Sequence, residues 1–165
     1  MITAVAPSNS FTARPRNIVI LAGIVAGTLD LVYAQTFWGI QLGFTPLKIL
    51  QSIAAGWLGS ATYAAGYASA LLGLISHYAI AIMMATVFYL ACRRWPALAS
   101  RPALHGALYG AVLYAVMTYL VVPLSQAGAG HFPPWRWENL SHIAGHMILV
   151  GIPCAIGARR ALSAR

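Results

Sequence analysis

The chain has 165 residues, of which 60% are hydrophobic and only twelve carry a formal charge, ten of them Lys or Arg and two Asp or Glu. A soluble domain of this length carries roughly a quarter charged residues, so most of this surface must face something other than water. The net charge of +8 does not mark a nucleic-acid binder, because the basic residues cluster at the ends of apolar runs and form no aromatic-interleaved stripe.

Four apolar runs follow in chain order, over about 18–38, 69–91, 104–122 and 140–157. A helix needs about 20 apolar residues to cross the hydrocarbon core, so each run predicts a span, the fourth shorter and loosened near its end by Pro153. The first run is interrupted only by Asp30 and Gln35 and is too long for a signal-peptide core. The predicted fold is all-α, a single four-helix transmembrane bundle.

Orientation follows from the basic residues. Arg14, Arg16, Arg93, Arg94, Arg101, Arg159, Arg160 and Arg165 fall on one side; Lys48 and Arg136 fall on the other. By the positive-inside rule the first group is cytoplasmic, which predicts a bacterial inner-membrane protein with both ends inside. Cys92 and Cys154 lie near cytoplasmic helix ends, where thiols stay reduced, and read as packing residues.

Between the first two spans, Thr45-Pro46 reads as an N-cap followed by an N1 proline. Leu47, Leu50, Ala54, Trp57 and Leu58 then recur at helical spacing opposite Lys48, Gln51 and Ser52. This predicts an amphipathic helix over about 45–59, lying in the outer interface or packed over the bundle. Residues 123–139 read as a loop. Trp57, Trp135 and Trp137 are candidate interface anchors. Gly23/Gly27, Ser69/Gly73, Gly106/Gly110 and Ser141/Gly145 are small-xxx-small pairs, one per span, suited to close helix packing within the bundle.

Asp30 is the residue that most needs a reason, because a carboxylate near mid-membrane costs at least about 2.5 kcal/mol on insertion scales. Its helical neighbours Gly23, Ala26, Gly27 and Ala34 place it toward protein. His77 shares a face with Ala70, Gly73 and Ala81. Counting from the outer helix ends, Asp30, His77, His146 and Tyr114 fall in one layer, roughly 10–12 Å deep. Glu138, His142 and His146 recur at i, i+4 and i+8, flanked by Asn139 and Ser141, as a polar stripe leading inward. His105 and His131 lie outside this layer.

Acid and imidazole groups in line suit proton or ion relay, with Glu138 as the mouth, His142 the intermediate, and His146, His77 and Asp30 the inner cluster. That reading needs no cofactor. A second reading takes His77, His142, His146 and Asp30 as ligands of a transition metal or a b-type haem, although an isolated HxxxH is a weak metal signal. A third is interhelical polar glue, in a homo-oligomer or an accessory subunit of a membrane complex. No P-loop, dinucleotide fingerprint, GxSxG or CxxC is present.

The second half of the chain also carries a resemblance. His77 with its Ala-rich continuation is followed by Arg93-Arg94-Trp95-Pro96, Gly106, Gly110, Met117 and Pro123-Leu124. Trp135-x-x-Glu138-Asn139-x-Ser141-x-x-x-Gly145-His146 completes the series. Over about residues 70–160 this resembles the YagU-like family of bacterial inner-membrane proteins, most specifically over the last of these segments. The resemblance implies a multi-spanning inner-membrane protein linked to acid tolerance, and draws attention to His77, Trp135, Glu138, Asn139 and His146. It does not reach Asp30.

Overall fold

The computed structural model describes residues 14–164; Arg165, counted above among the cytoplasmic arginines, lies outside them. All secondary structure among the described residues is helical. Among the described residues, four helices are long and apolar enough to cross a membrane: α1 (Pro15–Leu42), α3 (Gly66–Arg94), α4 (Pro102–Leu124) and α5 (Glu138–Ser163). Between α1 and α3 lies α2 (Pro46–Leu58).

Each span runs a few residues past its apolar run. Backbone bonding continues until something stops it, whereas an apolar run ends at the first polar side chain. Pro15 and Pro102 start α1 and α4, where a missing N–H costs nothing. Gly43 ends α1 at φ 64°, its N–H bonded to the Gly39 carbonyl at 3.0 Å and that of Phe44 to the Trp38 carbonyl at 3.3 Å. That left-handed closing turn is one a side-chain-bearing residue rarely adopts.

α1 packs against α3 and α5, and α4 packs chiefly against α5. The small residues set these contacts. A Cβ on Gly23 would lie 2.5 Å from the Cα of Ile82, and one on Gly106 would lie 2.8 Å from the Gly151 carbonyl oxygen. Gly110 faces the carbonyl of His146 closely enough to leave no room for a methyl group. Tyr109 reaches from α4 to α3, its hydroxyl donating to the Met84 carbonyl at 2.8 Å. Cys92 and Cys154 are free and fully buried in the core on the arginine-bearing side.

The third and fourth spans each contain a π segment, Met117–Val121 and His146–Gly151. In both, a proline follows two residues later, Pro123 and Pro153. A proline donates no hydrogen bond and its ring crowds the carbonyl four residues back, so the helix widens ahead of it.

α2 forms as the N-cap predicts, with the Lys48 N–H bonded to Thr45 Oγ1 at 3.3 Å. Its packing differs from the amphipathic reading at Gln51, which is buried. The Gln51 side-chain amide donates to the Gly66 carbonyl at 3.1 Å, and the Gln51 backbone carbonyl accepts from the Thr62 hydroxyl at 3.1 Å. Residues 59–64 form a 3-10 turn that folds back over α2 and covers Gln51, while Lys48 and Ser52 stay exposed. Gly73 lets α3 pass directly against the Leu50 carbonyl.

Candidate functional site

In the half of the bundle away from the arginine-bearing ends, the helices splay around a cavity of about 850 Å³. α2 forms one wall, and the turn after α4, residues 125–127, forms part of the rim. Most of the lining is apolar, including Ile49, Ile80, Met84, Met117 and Val150. Both π segments contribute, through Met117 and Val121 on α4 and His146 and Val150 on α5.

The polar floor comes from three helices. Asp30 of α1, His77 of α3 and His146 of α5 all line the cavity, and Asp30 Oδ1 lies 4.0 Å from His146 Nδ1. Asp30 and His146 are about one-fifth exposed, at 22% and 21%. Two backbone carbonyls fix the imidazole tautomers. His146 Nδ1–H donates to the His142 carbonyl at 3.0 Å, and His77 Nε2–H donates to the Gly27 carbonyl at 2.7 Å. A carbonyl only accepts, so in the neutral rings His146 Nε2 and His77 Nδ1 are left as acceptors. Asp30 takes no hydrogen bond from any of the described residues. Tyr114 meets His146 edge-on with ring centres 5.5 Å apart.

The expected relay is only partly assembled. Asp30, His77 and His146 share the cavity and Tyr114 adjoins it, but no single buried Asp/His/Glu cluster forms among the described residues. Glu138 sits exposed in the first turn of α5, where a carboxylate complements the positive end of the helix dipole. His142 turns toward α1 instead of the cavity. Its ring lies against Phe37 at 4.5 Å, stacks on Trp38 at 5.4 Å, and its Nδ1 bonds the Tyr33 hydroxyl at 3.2 Å. The stripe breaks because α1 presents different surfaces at successive depths, aromatic at 33–38 and carboxylate at 30. Asn139 is buried and donates to the Tyr119 hydroxyl at 3.5 Å, tying the start of α5 to α4.

No group of three or more His, Cys, Asp or Glu side chains comes together among the described residues. The His77 nitrogen with the longest reach, Nε2, is already committed to Gly27. His105 and His131 bond local carbonyls of Leu98 and Gly128.

Trp57 lines the cavity, and its indole N–H donates to Ser76 Oγ at 3.0 Å, joining α2 to α3 beside His77. Trp135 and Trp137 stand exposed in the loop before α5. Two features carried no chemical signal in the sequence: the Tyr33–Phe37–Trp38 cluster and the π segments. The i, i+4 spacing of Tyr33 and Phe37, and the prolines after each widened turn, are the marks that point to them.

Four spanning-type helices around a cavity with a carboxylate at its floor fit a small polytopic membrane protein. No family model matches the chain, and neither does any curated protein or solved structure.

Proposed function

We propose that this chain is a four-span protein of the bacterial inner membrane that takes up and releases a proton at the Asp30–His146 pair. Both ends lie in the cytoplasm in this reading, and the cavity opens to the periplasm. The observation that carries it is the 4.0 Å approach of Asp30 to His146 within a cavity of an otherwise apolar bundle. An intramembrane carboxylate without a hydrogen-bonded partner is costly to keep, and exchange of a proton with an adjacent imidazole is a chemistry that justifies it. The resemblance over residues 70–160 supports placing the chain in the YagU-like family, and proton uptake fits the acid tolerance that family implies. α2 and the tryptophans Trp135 and Trp137 would lie at the outer headgroup level.

Proton uptake into liposomes under an imposed pH gradient tests the reading. Wild-type protein should exceed protein-free liposomes. Asp30→Asn, which keeps the shape without a titratable oxygen, should abolish the excess, and His146→Ala should reduce it. Equal uptake in all three proteins, or none above the protein-free level, would overturn it.

A further inference from the structure

The cavity is far larger than a proton site requires. At about 850 Å³ it falls within the roughly 300–1,000 Å³ range of small-molecule pockets. Its hydrogen-bonding character is one-sided. The Ser52 hydroxyl donates to the Ile49 carbonyl, the Ser125 hydroxyl to the Val122 carbonyl, and the Trp57 N–H to Ser76. Both floor imidazoles spend their N–H on backbone carbonyls. Of the titratable groups at the floor, what remains are acceptors: the Asp30 carboxylate, His77 Nδ1 and His146 Nε2. The other donor-bearing linings are Ser76, whose hydroxyl accepts from Trp57, and Trp38 and Gln126 toward the rim, Trp38 about 12 Å along α1 from Asp30.

An anion entering this space would meet the Asp30 carboxylate, with both floor imidazole N–H groups already spent on backbone carbonyls. A bare metal ion would find too few ligands. A neutral hydrocarbon would leave Asp30 unpaired. A ligand that brings its own donors and positive charge meets every feature, and the indoles of Trp38 and Trp57 add aromatic surface of the kind that attracts organic cations. We propose that the cavity binds an amphipathic organic amine in its protonated form. Its ammonium sits against Asp30 with the two imidazole acceptors beside it, and its apolar body lies against Ile49, Ile80 and Met117. This rests on the reading of Asp30 as the exchangeable group of the cavity: the ammonium takes the place of the proton.

The test is energy transfer from the cavity tryptophans to dansylcadaverine, a primary amine with an aromatic body, added to detergent-solubilised full-length protein. Wild type should give saturable transfer. The N-acetylated probe, of nearly the same size but uncharged, should bind at least tenfold more weakly. Asp30→Asn should cause a similar loss, while Asp30→Glu, which restores the charge, should recover much of it. Ile53→Trp, which narrows the cavity from the α2 wall without altering Asp30, should also weaken binding. Transfer that is absent in the wild type, or equal for both probes, overturns the proposal. Proton uptake by the same preparation separates the two readings: binding lost with uptake retained sinks the amine site alone, whereas binding without uptake leaves it standing and sinks proton exchange.

Discussion

His142 and His146 lie one helical turn apart and have opposite fates. His146 meets a carboxylate across the cavity, whereas His142 is enclosed by Phe37, Trp38 and Tyr33. The direction of Asp30 was legible because a charge in an apolar run can be tolerated only on the face carrying Gly23, Ala26 and Gly27. The fate of His142 was not, since a 3.6-residue period says which face a residue shares but not which surface of α1 that face meets at each depth. The difference is measurable. His142→Ala should lower the thermal stability of the solubilised protein by about 1–2 kcal/mol, the scale of losing ring packing and one hydrogen bond. Proton uptake per folded molecule should stay unchanged, because the carbonyl of residue 142 still accepts from His146. A loss of uptake comparable to that of His146→Ala would return His142 to the relay.

At the scale of elements, the spans were legible from apolar length alone, and the α2 N-cap from Thr45-Pro46. What the residue pattern could not show is that Gln51, alone on the polar side of α2, is buried. Gln51 reads as solvent-facing by amphipathic spacing, yet the turn over residues 59–64 folds onto it and takes up its amide. Gln51→Leu should therefore destabilise the protein by about 1–3 kcal/mol, since the carbonyls of Thr62 and Gly66 lose a donor in a dry setting. Thermal unfolding in detergent measures this, and an unchanged midpoint would place Gln51 at the surface. The π segments make a second element-scale case. Pro153 removes the N–H that would draw the preceding turn into regular α-helix, and the widened turn begins at His146. Pro153→Ala should let the segment tighten and turn His146 away from Asp30. Proton uptake should fall although the helix itself is more regular, with slower amide exchange over residues 146–151 as the accompanying sign. Faster exchange there would contradict this account.

For the whole molecule, the proposed activity depends on which side the cavity faces. Its rim includes Ser125, Gln126 and Ala127, just past the Leu124 end of α4, while Arg93, Arg94, Arg101, Arg159 and Arg160 all lie at the opposite helix ends. Moving this many cations across the bilayer is opposed by the same bias that orients membrane proteins generally, so the rim should face the periplasm. The chain supplies a convenient test, because its two native cysteines are fully buried and should give little background labelling. Gln126→Cys places an exposed thiol at the rim, and Ala97→Cys places one in the turn between α3 and α4. A membrane-impermeant maleimide added to intact spheroplasts should label residue 126 and not residue 97, with residue 97 reacting only after permeabilisation. If the amine site is also correct, dansylcadaverine should slow labelling at 126 in the wild-type background and leave it unaffected when Asp30 is Asn. The reverse labelling pattern would invert the topology, and the carboxylate would then draw its protons from the cytoplasm.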